Sequence, residues 1–568
     1  MADFDAIVVG SGMSGGWVAK ELCERGLKVC VIERGKSTKP TEDYTDMMDP
    51  WDYPNLNKVT KSEEQEHYAI QHSIYNWSAD TKHWWVKDSE HPYETVEGTE
   101  YTWRRGYHVG GRSLMWARQS YRLSPIDILA NKTDGHGVDW PIRYEDLAPW
   151  YDHVEEFAGI SGQAEGLDIL PDSKFLPVFE FTCGEEIARD RIEAKFPTRR
   201  MIHGRCANLR RATPEQQALG RGSCQVRNKC HKGCSFGAYF SSVSATLPAA
   251  ERTGNLTLMT DQIVAELEHN PETNRVTGVR VIDRNTKATK TVTANIVFLN
   301  ASAIASSLIL QNSKSAENPN GLANSSGMVG RNLMDHVGGA WGSGRIPMTP
   351  ELADKTTFGR RPNGFYIPRF RNHTEAGDGY VRGFGYQGGV HRGGWSGDYQ
   401  GIGKDFKAGN RTPGDWYISM GAFGEILPDE RNRVTPHPTK KDKWGLPLPL
   451  FDARMRQNEI NLIKQASKDT VELLKAAGAV DIRSSEDYDV QPSRPGNAIH
   501  EMGTARMGRD PKTSVLNKYL QTHDIPNLFI SDGSAMTSAA CQNPSLTYMA
   551  LSAKAAKHAA DFYEAGEI

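Results

Sequence analysis

Three closely spaced cysteines are the residues whose type and spacing most directly suggest chemistry. Cys224, Cys230 and Cys234 lie within eleven residues, out of eight cysteines in the whole sequence. No charged-then-apolar secretory segment precedes the first apolar run, so the spacing favours metal ligation over a disulfide framework. Three thiolates suit an iron–sulfur cluster, and with Cys206 a four-ligand zinc site is conceivable. A disulfide or free thiols are the remaining alternatives, and His231 is interpreted as a bystander.

A glycine-rich stretch near the amino terminus is typical of a dinucleotide site. Gly10, Gly12 and Gly15 follow the apolar run 6–9 and open a helical pattern that continues to Cys23. The first glycine allows a tight turn, the second lets a pyrophosphate approach the backbone, and the third lets helix pack on strand. The amino terminus of the helix would then face the phosphates. An ordinary glycine turn is the alternative interpretation.

The next elements support the dinucleotide interpretation. Residues 28–32 are expected to form a second strand, and Glu33 follows it. This glutamate comes about 20 residues after the glycines, where a ribose hydroxyl needs an acceptor. Ser14 in the glycine turn and Arg34 beside the glutamate are assigned to the same cofactor site. The sequence therefore predicts a strand, turn and helix that bind a dinucleotide.

Length and charge limit the classes of function. At 568 residues the chain exceeds the size at which one hydrophobic core stops growing, so we expect two or more domains. The net charge of -3 gives no electrostatic case for a nucleic-acid partner. No apolar run approaches the roughly 18 residues of a membrane span, so we expect a globular enzyme with no membrane span of its own.

Residues 41–99 lack the regular periodicity of the elements before them. The segment is polar and aromatic, with aromatic clusters at 75–77 and 83–85. A long irregular segment is more often a functional cover than random coil, so we predict a lid or cover over the site. A packing role at the surface is an equally open alternative.

A second glycine stretch lies within residues 105–116. Gly110, Gly111 and Ser113 would allow backbone amides to face a planar ring, although an ordinary turn is also possible. Together the two stretches resemble the glucose-methanol-choline (GMC) family of FAD oxidoreductases, in which the second stretch runs along the flavin. Relatives that attach FAD covalently have a histidine where Met115 stands here. The resemblance therefore implies non-covalent FAD, with these residues in its site.

The resemblance also implies a fold. We expect an α/β protein in which a Rossmann-like FAD-binding domain is joined to a discontinuous α+β substrate domain built on an antiparallel sheet. The expected segments are 1–40, 100–155, 240–340 and 500–568 for the FAD-binding domain, 41–99 for the lid, 156–239 for a cluster-bearing insert and 341–499 for the substrate domain.

Two internal segments resemble further motifs of the family. Residues 255–258 and 263–267 are predicted strands, and in the family the backbone at the position of Val264 meets the adenine. Residues 329–336 resemble the segment that returns the chain to the substrate domain. We interpret His336 in that segment as a satisfied structural histidine.

The carboxyl-terminal part of the chain carries the most specific resemblance to the family. Asp532 and Gly533 resemble the contact to the flavin ribityl chain. Asn543, Pro544 and Ser545 stand at a helix start, where backbone amides would point toward the flavin ring. These residues are therefore assigned to the FAD site.

The catalytic pair of the family maps to His500 and Asn543. Oxidation of an alcohol to a carbonyl needs a hydride acceptor and a base for the hydroxyl proton, which a flavin and an imidazole supply. His500 would take the proton, because an unperturbed pKa of about 6.5 leaves much of an imidazole neutral. The amide of Asn543 can hydrogen-bond the same oxygen without competing for the proton.

Residues 341–499 mix short alternating strands with glycine-rich turns around 375–415. The alternation predicts an antiparallel sheet that forms one wall of a pocket, and a helix is expected at 457–477. Glu425 follows one of these strands. It could bind a sugar hydroxyl or pair with the catalytic histidine, but an ordinary exposed glutamate is the preferred interpretation.

The spacing of the three cysteines resembles the three-iron cluster segment of bacterial electron-transferring sugar dehydrogenases within the GMC family. This implies a 3Fe-4S cluster on Cys224, Cys230 and Cys234, and leaves a contribution of Cys206 open. A cluster that accepts one electron at a time suits a dehydrogenase that reduces a cytochrome c. An oxidase that uses oxygen needs no such relay.

The substrate expectation rests on resemblance alone. Residues 105–116 and 138–144, with the cysteine spacing, resemble the catalytic subunits of bacterial glucoside 3-dehydrogenases, which implies oxidation of a pyranose secondary hydroxyl at C3. One alternative is another GMC enzyme, such as a glucose 1-dehydrogenase, a pyranose or alcohol oxidase, a gluconate or sorbitol dehydrogenase or a lyase. The other is a flavoprotein with only a structural or binding role.

Partners and location follow from the same resemblance. A small export or chaperone-like subunit with a twin-arginine signal would carry the folded chain to the periplasm. A cytochrome c would accept the electrons of the sugar or glucoside there. Without such a partner the enzyme would be cytoplasmic.

Overall fold

Two seven-stranded sheets dominate the residues that the structure describes. The computed structural model describes residues 2–349, 352, 362–392, 402–409, 411 and 414–568. The strands are β1 Phe4–Val9, β2 Val29–Ile32, β3 Glu94–Thr95, β4 Ile202–His203, β5 Leu256–Met259, β6 Gln262–Asn270, β7 Arg275–Asp283, β8 Thr289–Leu299, β9 His336–Val337, β10 Trp341–Ile346, β11 Phe365–Ile367, β12 Phe384–Arg392, β13 Trp416–Glu425, β14 Arg433–Lys441, β15 Pro447–Asp452, β16 Val480–Ser484 and β17 Leu528–Ile530.

Helices accompany both sheets in the described residues. They are α1 Met13–Glu24, α2 Pro40–Asp43, α3 Lys61–His67, α4 Pro125–Asp134, α5 Tyr144–Ala158, α6 Cys183–Lys195, α7 Pro214–Ala218, α8 Leu247–Arg252, α9 Ala303–Asn312, α10 Gly403–Gly409, α11 Gln457–Ala476 and α12 Ser545–Glu564. Short helical turns include Gly111–Leu114 and Gly533–Ala535.

The first sheet has the strand order β5-β2-β1-β8-β7-β6, with β17 paired to β8. The pairs around β1 are parallel, and β6 and β7 extend the sheet with antiparallel pairs. Ala6, Ile7 and Val8 are fully buried, as expected for a central strand that is covered on both faces. The expected α/β fold class is confirmed.

Small side chains let two helices approach each other beside this sheet. The last helix, α12, packs against α1, and its fully buried positions include Ala550, Ala553, Ala556 and Ala560. Alanine keeps the helical backbone close to its neighbour and has the highest helix propensity. The helix that begins beside the predicted catalytic asparagine is therefore held firmly by the core of the first sheet.

The second sheet is the predicted antiparallel sheet. Its order is β16-β10-β13-β12-β11-β4, β9 pairs with β13, and every pair is antiparallel. The helix α11 covers this sheet with one apolar face, on which Leu462, Ile463 and Leu473 are fully buried. The spacing of these residues is that of an amphipathic helix. This sheet brings residues of β10, β12 and β13 to the wall of the main cavity.

The second core also takes residues from the segment predicted to be a cysteine-bearing insert. Ala188 and Ile192 of α6 belong to this core, together with Met201. The strand β4 pairs with β11 at the edge of the sheet. Residues 183–203 therefore pack with the antiparallel sheet, while the domain boundaries stated from the sequence stay predictions.

Most predicted elements are present with small changes at their ends. The strand expected at 28–32 forms at Val29–Ile32, and the helix expected at 457–477 ends at Ala476. Differences of one residue are normal where an element frays. Of the glycine-rich turns expected around 375–415, residues 393–401, 410 and 412–413 lie outside the described residues.

The segment 41–99 contains short helical turns, including α2 and α3, and buries part of its aromatic content. Trp84 and Trp85 are buried, while Tyr75 lines the main cavity and is exposed there. The segment therefore both packs on the protein and contributes to the cavity wall. In the described part of the chain, no helix is long and apolar enough to cross a bilayer.

Candidate active site

The turn after β1 requires glycine for steric reasons. Gly10 has φ +98, and a Cβ there would lie 2.5 Å from the carbonyl oxygen of Asn300. A Cβ on Gly15 would lie 1.9 Å from the carbonyl oxygen of Gly10, because α1 packs directly on the turn. A Cβ on Gly12 would have no neighbour closer than 3.9 Å. Gly10 and Gly15 are thus required by the fold, and Gly12 keeps space open beside the cavity.

Glu33 is tied to the same turn. Its Oε2 accepts hydrogen bonds from the hydroxyl of Ser11 at 2.6 Å and the N–H of Ser11 at 3.1 Å, and Oε1 accepts from the N–H of Gly35 at 2.8 Å. Burial raises the pKa of Glu33, and these hydrogen bonds oppose that shift. The carboxylate is therefore held at the end of β2, where it faces the cavity as a hydrogen-bond acceptor.

One cavity of about 630 Å³ brings most of the predicted site residues together. The predicted residues that line it are Gly10, Gly12, Ser14, Glu33, Arg34, Gly111, Ser113, Met115, Val264, His500, Asp532, Gly533, Asn543 and Ser545. Gly15, Gly110 and Pro544 are adjacent to lining residues in the chain but do not line the cavity themselves. The contacts of these residues with FAD stay predictions.

Aromatic side chains contact Arg34, which lines the cavity. Its guanidinium carbon lies 4.6 Å from the ring centre of Tyr107 and 5.2 Å from that of Trp444. Val264 on β6 lines the same cavity. A flat, partly apolar surface beside a cation suits an adenine ring, so the placement fits the adenosine end of a dinucleotide.

The second glycine stretch packs against the first. Gly110 has φ +87 and donates its N–H to the hydroxyl of Ser11 at 3.0 Å. Ser113 donates its hydroxyl to the carbonyl oxygen of Gly110 at 2.6 Å and accepts from the N–H of Ser242 at 3.0 Å. The turn is thus fixed on both sides. Met115 follows it, is buried, and lines the cavity.

Asp532 lines another part of the cavity wall. Its carboxylate accepts from the hydroxyl of Ser306 at 2.6 Å and from the N–H of Ser534 at 2.9 Å. A Cβ on Gly533 would lie 2.5 Å from the carbonyl oxygen of Glu501, so this wall packs closely on the loop that carries the predicted base. Burial raises the pKa of Asp532.

The last helix begins at this wall. Pro544 is the N-cap of α12 and makes no side-chain capping hydrogen bond. The first N–H groups of a helix lack intrahelical partners and carry partial positive charge. Ser545 and Asn543 line the cavity at this point, so the helix start can offer N–H groups to an oxygen of a bound ring.

His500 and Asn543 are neighbours across the cavity wall. The Nδ2 atom of Asn543 lies 3.4 Å from Nε2 of His500. The Nδ1 atom of His500 lies 2.7 Å from Nδ1 of His336, whose Nε2 lies 2.8 Å from the carbonyl oxygen of Ala540. Burial, then His336 and Arg112, hold the pKa of His500 well below its usual range. The imidazole of His500 is therefore neutral and can accept a proton.

Two side chains at this site were not assigned by sequence reasoning. Gln387 on β12 donates its Nε2–H to Oδ1 of Asn543 at 2.5 Å. Asp335, which precedes His336, accepts from the backbone N–H of His500 at 2.8 Å. A glutamine inside a strand carries no distinguishing pattern, whereas the aspartate lies in the segment 329–336 and could have been singled out there.

The preferred interpretation of Glu425 as an exposed residue is wrong. Glu425 is the last residue of β13 and is 1% exposed. It forms an ion pair of 2.6 Å with Arg382, which also pairs with Asp134. A buried carboxylate needs a cationic partner because its desolvation is costly. Through Arg382, Glu425 therefore links the antiparallel sheet to the end of α4. It neither lines the main cavity in the described structure nor contacts His500 there.

The three clustered cysteines surround a second, smaller cavity. Cys224, Cys230 and Cys234 all line a space of about 30 Å³. None of the three is in a disulfide, and neither is Cys206, which is fully buried nearby. Within the described residues, no three His, Cys, Asp or Glu side chains are arranged to hold a single metal ion. The zinc alternative therefore finds no support there.

The loop with the cysteines is pinned to the predicted lid segment. The Asp46 carboxylate accepts from the hydroxyl of Ser235 at 2.6 Å and pairs with Arg227. The ring of His231 contacts that of Tyr75 edge-on, with 6.1 Å between centroids. Because Tyr75 lines the main cavity, the cysteine loop lies directly behind one wall of that cavity.

Arg118 lies between the two cavities. Its guanidinium donates to the carbonyl oxygens of Trp116, at the main cavity, and of Pro362, at the cysteine cavity. It also lies 4.7 Å from the ring centre of Tyr239. Burial raises the pKa of the Cys224 thiol, and the guanidinium of Arg118 opposes that shift.

Comparison with known proteins identifies the family of this chain. The family models described as GMC oxidoreductase match residues 4–338 and 428–552. The chain is 30% identical to 2-methyl-1,2-propanediol dehydrogenase of Mycolicibacterium austroafricanum, over 97% of this chain and 94% of that protein. It is 27% identical to the fructose dehydrogenase large subunit of Gluconobacter japonicus, over 97% of each chain.

A solved structure shares the fold. Pyridoxine 4-oxidase from Mesorbium loti superimposes with a TM-score of 0.60 at 19% identity, covering 98% of each chain. GMC flavoproteins bind FAD, and the glycine turns, Glu33 and Asp532 form a cradle around one cavity that fits this cofactor. The chain therefore belongs to the GMC oxidoreductase family and is an FAD-dependent oxidoreductase that acts on CH–OH groups.

Proposed function

We propose that this chain is an FAD-dependent dehydrogenase that oxidises a secondary hydroxyl of a pyranose, at C3 of a glucoside, and transfers the electrons to a cytochrome-type acceptor. One observation carries the chemistry. His500 and Asn543 face the same cavity as both glycine turns, Glu33 and Asp532.

The chain's own residues would handle the proton. Bound FAD supplies a two-electron acceptor for the hydride that leaves the substrate carbon. Nε2 of His500 takes the hydroxyl proton, so that the C–H and O–H bonds break and a C=O bond forms. Asn543 donates an N–H to the same oxygen and holds it toward the imidazole. Because the pKa of His500 lies well below its usual range, the imidazole is neutral and ready to accept a proton before substrate arrives.

The cavity offers surfaces that suit a sugar. Tyr75 and Trp341 line it and remain 70% and 44% exposed, respectively. Aromatic faces pack well on the C–H faces of a pyranose ring. Small residues at Gly338, Gly339 and Gly421 leave room beside them, and Gln387 adds a hydrogen-bonding group. The relative described as a fructose dehydrogenase subunit supports a sugar substrate.

A small alcohol or diol is the second candidate substrate. The relative with 30% identity is described as a dehydrogenase of 2-methyl-1,2-propanediol. The carbinol chemistry of His500 and Asn543 is the same for both substrates. The part of the cavity lined by Tyr75 and Trp341 would therefore distinguish the two candidate substrates, because a pyranose ring would pack there and a small diol would not.

Non-covalent attachment of FAD is part of the proposal. Met115 follows the second glycine turn and lines the cavity. A thioether has no proton to lose and is a weaker nucleophile than an imidazole, so this side chain is not expected to bond to the flavin. The buried Met115 would instead pack against the ring.

We also propose a 3Fe-4S cluster at the small cavity. Each cysteine of a cluster binds a different iron, so the thiols need only surround a common space, as Cys224, Cys230 and Cys234 do here. Such a cluster supplies one-electron transfer, which suits a cytochrome c acceptor. The buried Arg118 is a cation beside this space and opposes the rise that burial causes in the pKa of Cys224.

The partner and the location are proposals as well. A small export or chaperone-like subunit with a twin-arginine signal would carry the folded chain to the periplasm. The fructose dehydrogenase relative is described as a large subunit, which supports a multi-subunit assembly. Cell fractionation that finds the enzyme wholly in the cytoplasm, while the proposed export subunit is also expressed, would contradict this part.

The test of the function is anaerobic reduction of the bound flavin. Purified protein is mixed with a methyl glucoside, with 2-methyl-1,2-propanediol and with a short alcohol, and bleaching of FAD absorbance is followed. The proposal expects rapid bleaching with the glucoside and a 3-keto product identified by NMR. Rapid bleaching by the diol alone would favour the second candidate.

Two variants accompany that test. His500→Gln should slow bleaching by about 100-fold or more, in the range of general-base contributions, while FAD stays bound. His136→Gln is the matched control, because this histidine is exposed on a loop. Bleaching by His500→Gln at the rate of the control would remove His500 from the role of base.

A further inference from the structure

Both residues of the catalytic pair have a second partner on the antiparallel sheet. His500 contacts His336, which begins β9, and Asn543 contacts Gln387 on β12. His336 is fully buried. The four side chains form one chain of hydrogen bonds that starts at the carbonyl oxygen of Ala540.

The carbonyl of Ala540 determines where the protons lie in this series of hydrogen bonds. A carbonyl oxygen only accepts, so Nε2 of His336 must carry the proton in their 2.8 Å hydrogen bond. Burial lowers the pKa of His336 to about 4, so its ring is neutral near pH 7. Its Nδ1 atom therefore has a lone pair and accepts from Nδ1–H of His500.

The same logic continues into the cavity. A neutral His500 with its proton on Nδ1 has a bare lone pair on Nε2. Nε2 lies 3.4 Å from Nδ2 of Asn543, which is the donor end of that amide. Oδ1 of Asn543 then accepts from Gln387 at 2.5 Å. All four contacts are consistent with a single direction of donation.

We propose that His336 and Gln387 are positioning residues that set the direction of hydrogen bonding in the catalytic pair. His336 keeps the proton of His500 on Nδ1 and leaves Nε2 free as the base. Gln387 keeps the N–H groups of Asn543 turned toward the substrate oxygen. This inference rests on the proposed role of His500, and it extends the role of His336 beyond that of a satisfied structural histidine.

The opposite arrangement would impair the reaction without removing any catalytic atom. With its proton on Nε2, His500 would present a donor to the hydroxyl and could not take its proton. With its amide reversed, Asn543 would present an oxygen to the substrate oxygen. In serine proteases the wrong histidine tautomer lowers kcat by about 10⁴-fold.

The tautomer can be measured without any substrate. Protein labelled with ¹⁵N-histidine is examined by long-range ¹H–¹⁵N NMR, and the signals of His500 are assigned by their loss in His500→Gln. The proposal expects a protonated Nδ1 and a bare Nε2 on His500. A bare Nδ1 and a protonated Nε2 in the wild-type protein would overturn it. This result does not depend on whether a sugar is the substrate.

Variants of His336 test the acceptor. His336→Leu removes the acceptor for Nδ1–H of His500, and we expect the limiting rate of flavin reduction to fall by about 30-fold or more, with little change in substrate Kd. His336→Gln places an acceptor and a donor on one amide, which can accept from His500 and donate to Ala540. This variant should recover most of the loss. Equal losses in both variants, with both folded and FAD-loaded, would contradict the proposal.

Variants of Gln387 test the other end. Gln387→Glu has nearly the same shape, but an ionised carboxylate at pH 8 cannot donate to Oδ1 of Asn543 and favours the reversed amide. Gln387→Met removes the donor without imposing a direction. We expect the limiting rate to fall at least about 10-fold further in Gln387→Glu than in Gln387→Met. Equal limiting rates in the two variants would contradict the role of Gln387.

The readouts separate this inference from the proposed function. If no glucoside or alcohol reduces the flavin of the wild-type protein, the proposed function fails, and the NMR result still decides the tautomer. If the wild-type protein oxidises a glucoside but His500 carries its proton on Nε2, only the present inference fails.

Discussion

The carboxylate of Asp335 holds the backbone of His500. Its Oδ1 accepts from the N–H of His500 at 2.8 Å, and its Oδ2 accepts from the N–H of Ala498 at 3.0 Å. Asp335 is buried and immediately precedes β9. Asp335 therefore fixes the main chain of the loop that carries the base, and the next residue, His336, fixes the imidazole ring of His500.

The burial of this carboxylate predicts a dependence of stability on pH. Burial, and then the nearby carboxylate of Glu501, raise the pKa of Asp335 to about 7. A carboxyl whose pKa is raised on folding contributes stability that is fully present below its unfolded pKa of about 3.9 and is lost as pH rises through the folded value. The loss should therefore occur mainly between pH 4 and pH 7.

Asp335→Asn tests this directly, because an amide does not titrate. We expect the variant to be less stable than the wild-type protein at pH 5 and the difference in Tm to narrow or reverse at pH 8. Thermal unfolding in saturating FAD gives the measurement. A difference in Tm that stays constant from pH 5 to pH 8 would contradict the expectation.

The low pKa of His500 predicts how the limiting rate of flavin reduction depends on pH on the acid side. The base must be neutral, and burial, then His336 and Arg112, hold the pKa of His500 well below the usual value of about 6.5. The limiting rate of flavin reduction should therefore stay constant from pH 8 down to about pH 6 and decline only below that. Circular dichroism at each pH provides the control for folding. A midpoint at or above 6.5 would show that the base titrates like a histidine in water.

Local patterns predicted the parts of the site that are formed within one segment. The need for glycine at position 15 is readable because a Cβ there would collide with the carbonyl oxygen of Gly10, five residues away in the same turn. The three cysteines face one cavity because they share one loop. In such cases spacing along the chain determines proximity in space.

Contacts between distant segments were not readable from the sequence. His336 and His500 lie 164 residues apart, so nothing in either segment indicates that their rings meet. The burial of Glu425 is not readable for the same reason, because it depends on Arg382, which precedes β12, and on Asp134 from α4. Periodicity reports which face of an element is buried, but not which partner compensates a buried charge.

The two glycines of the first turn predict different failures. Gly15→Ala places a methyl group against the Gly10 carbonyl, so we expect the apo protein to lose about 1–3 kcal/mol of stability. Gly12→Ala has free space around it in the protein, so its apo stability should change little while FAD binding weakens. Urea unfolding of apo protein and FAD titration separate the two effects. Equal loss of apo stability in both variants would contradict this division of roles.

The nature of Met115 predicts how FAD is released. Because this position offers only a weakly nucleophilic thioether to the flavin, acid or heat denaturation should leave all FAD in the supernatant after precipitation. Met115→Leu, of similar volume, should behave identically and keep FAD bound before denaturation. Flavin absorbance that stays with the precipitated polypeptide would show a covalent bond.

The last prediction separates electron exit from substrate oxidation. Cys230 lines the small cavity and not the main one. Cys230→Ser should therefore leave the bleaching of FAD by substrate within about a factor of a few, while iron and acid-labile sulfide fall in the purified protein. Turnover with a cytochrome c should be abolished, and a small dye that can enter the main cavity should remain partly active.

The control for this variant lies in the same loop. Gln225 is exposed and its side chain donates to the carbonyl oxygen of Ser223, so Gln225→Ala disturbs the loop without removing a thiol and should keep both iron and cytochrome turnover. Cys230→Ser with full cytochrome turnover would show that electrons leave by another route. Zinc in place of iron in the wild-type protein would make the three cysteines a structural site, because zinc does not change its oxidation state.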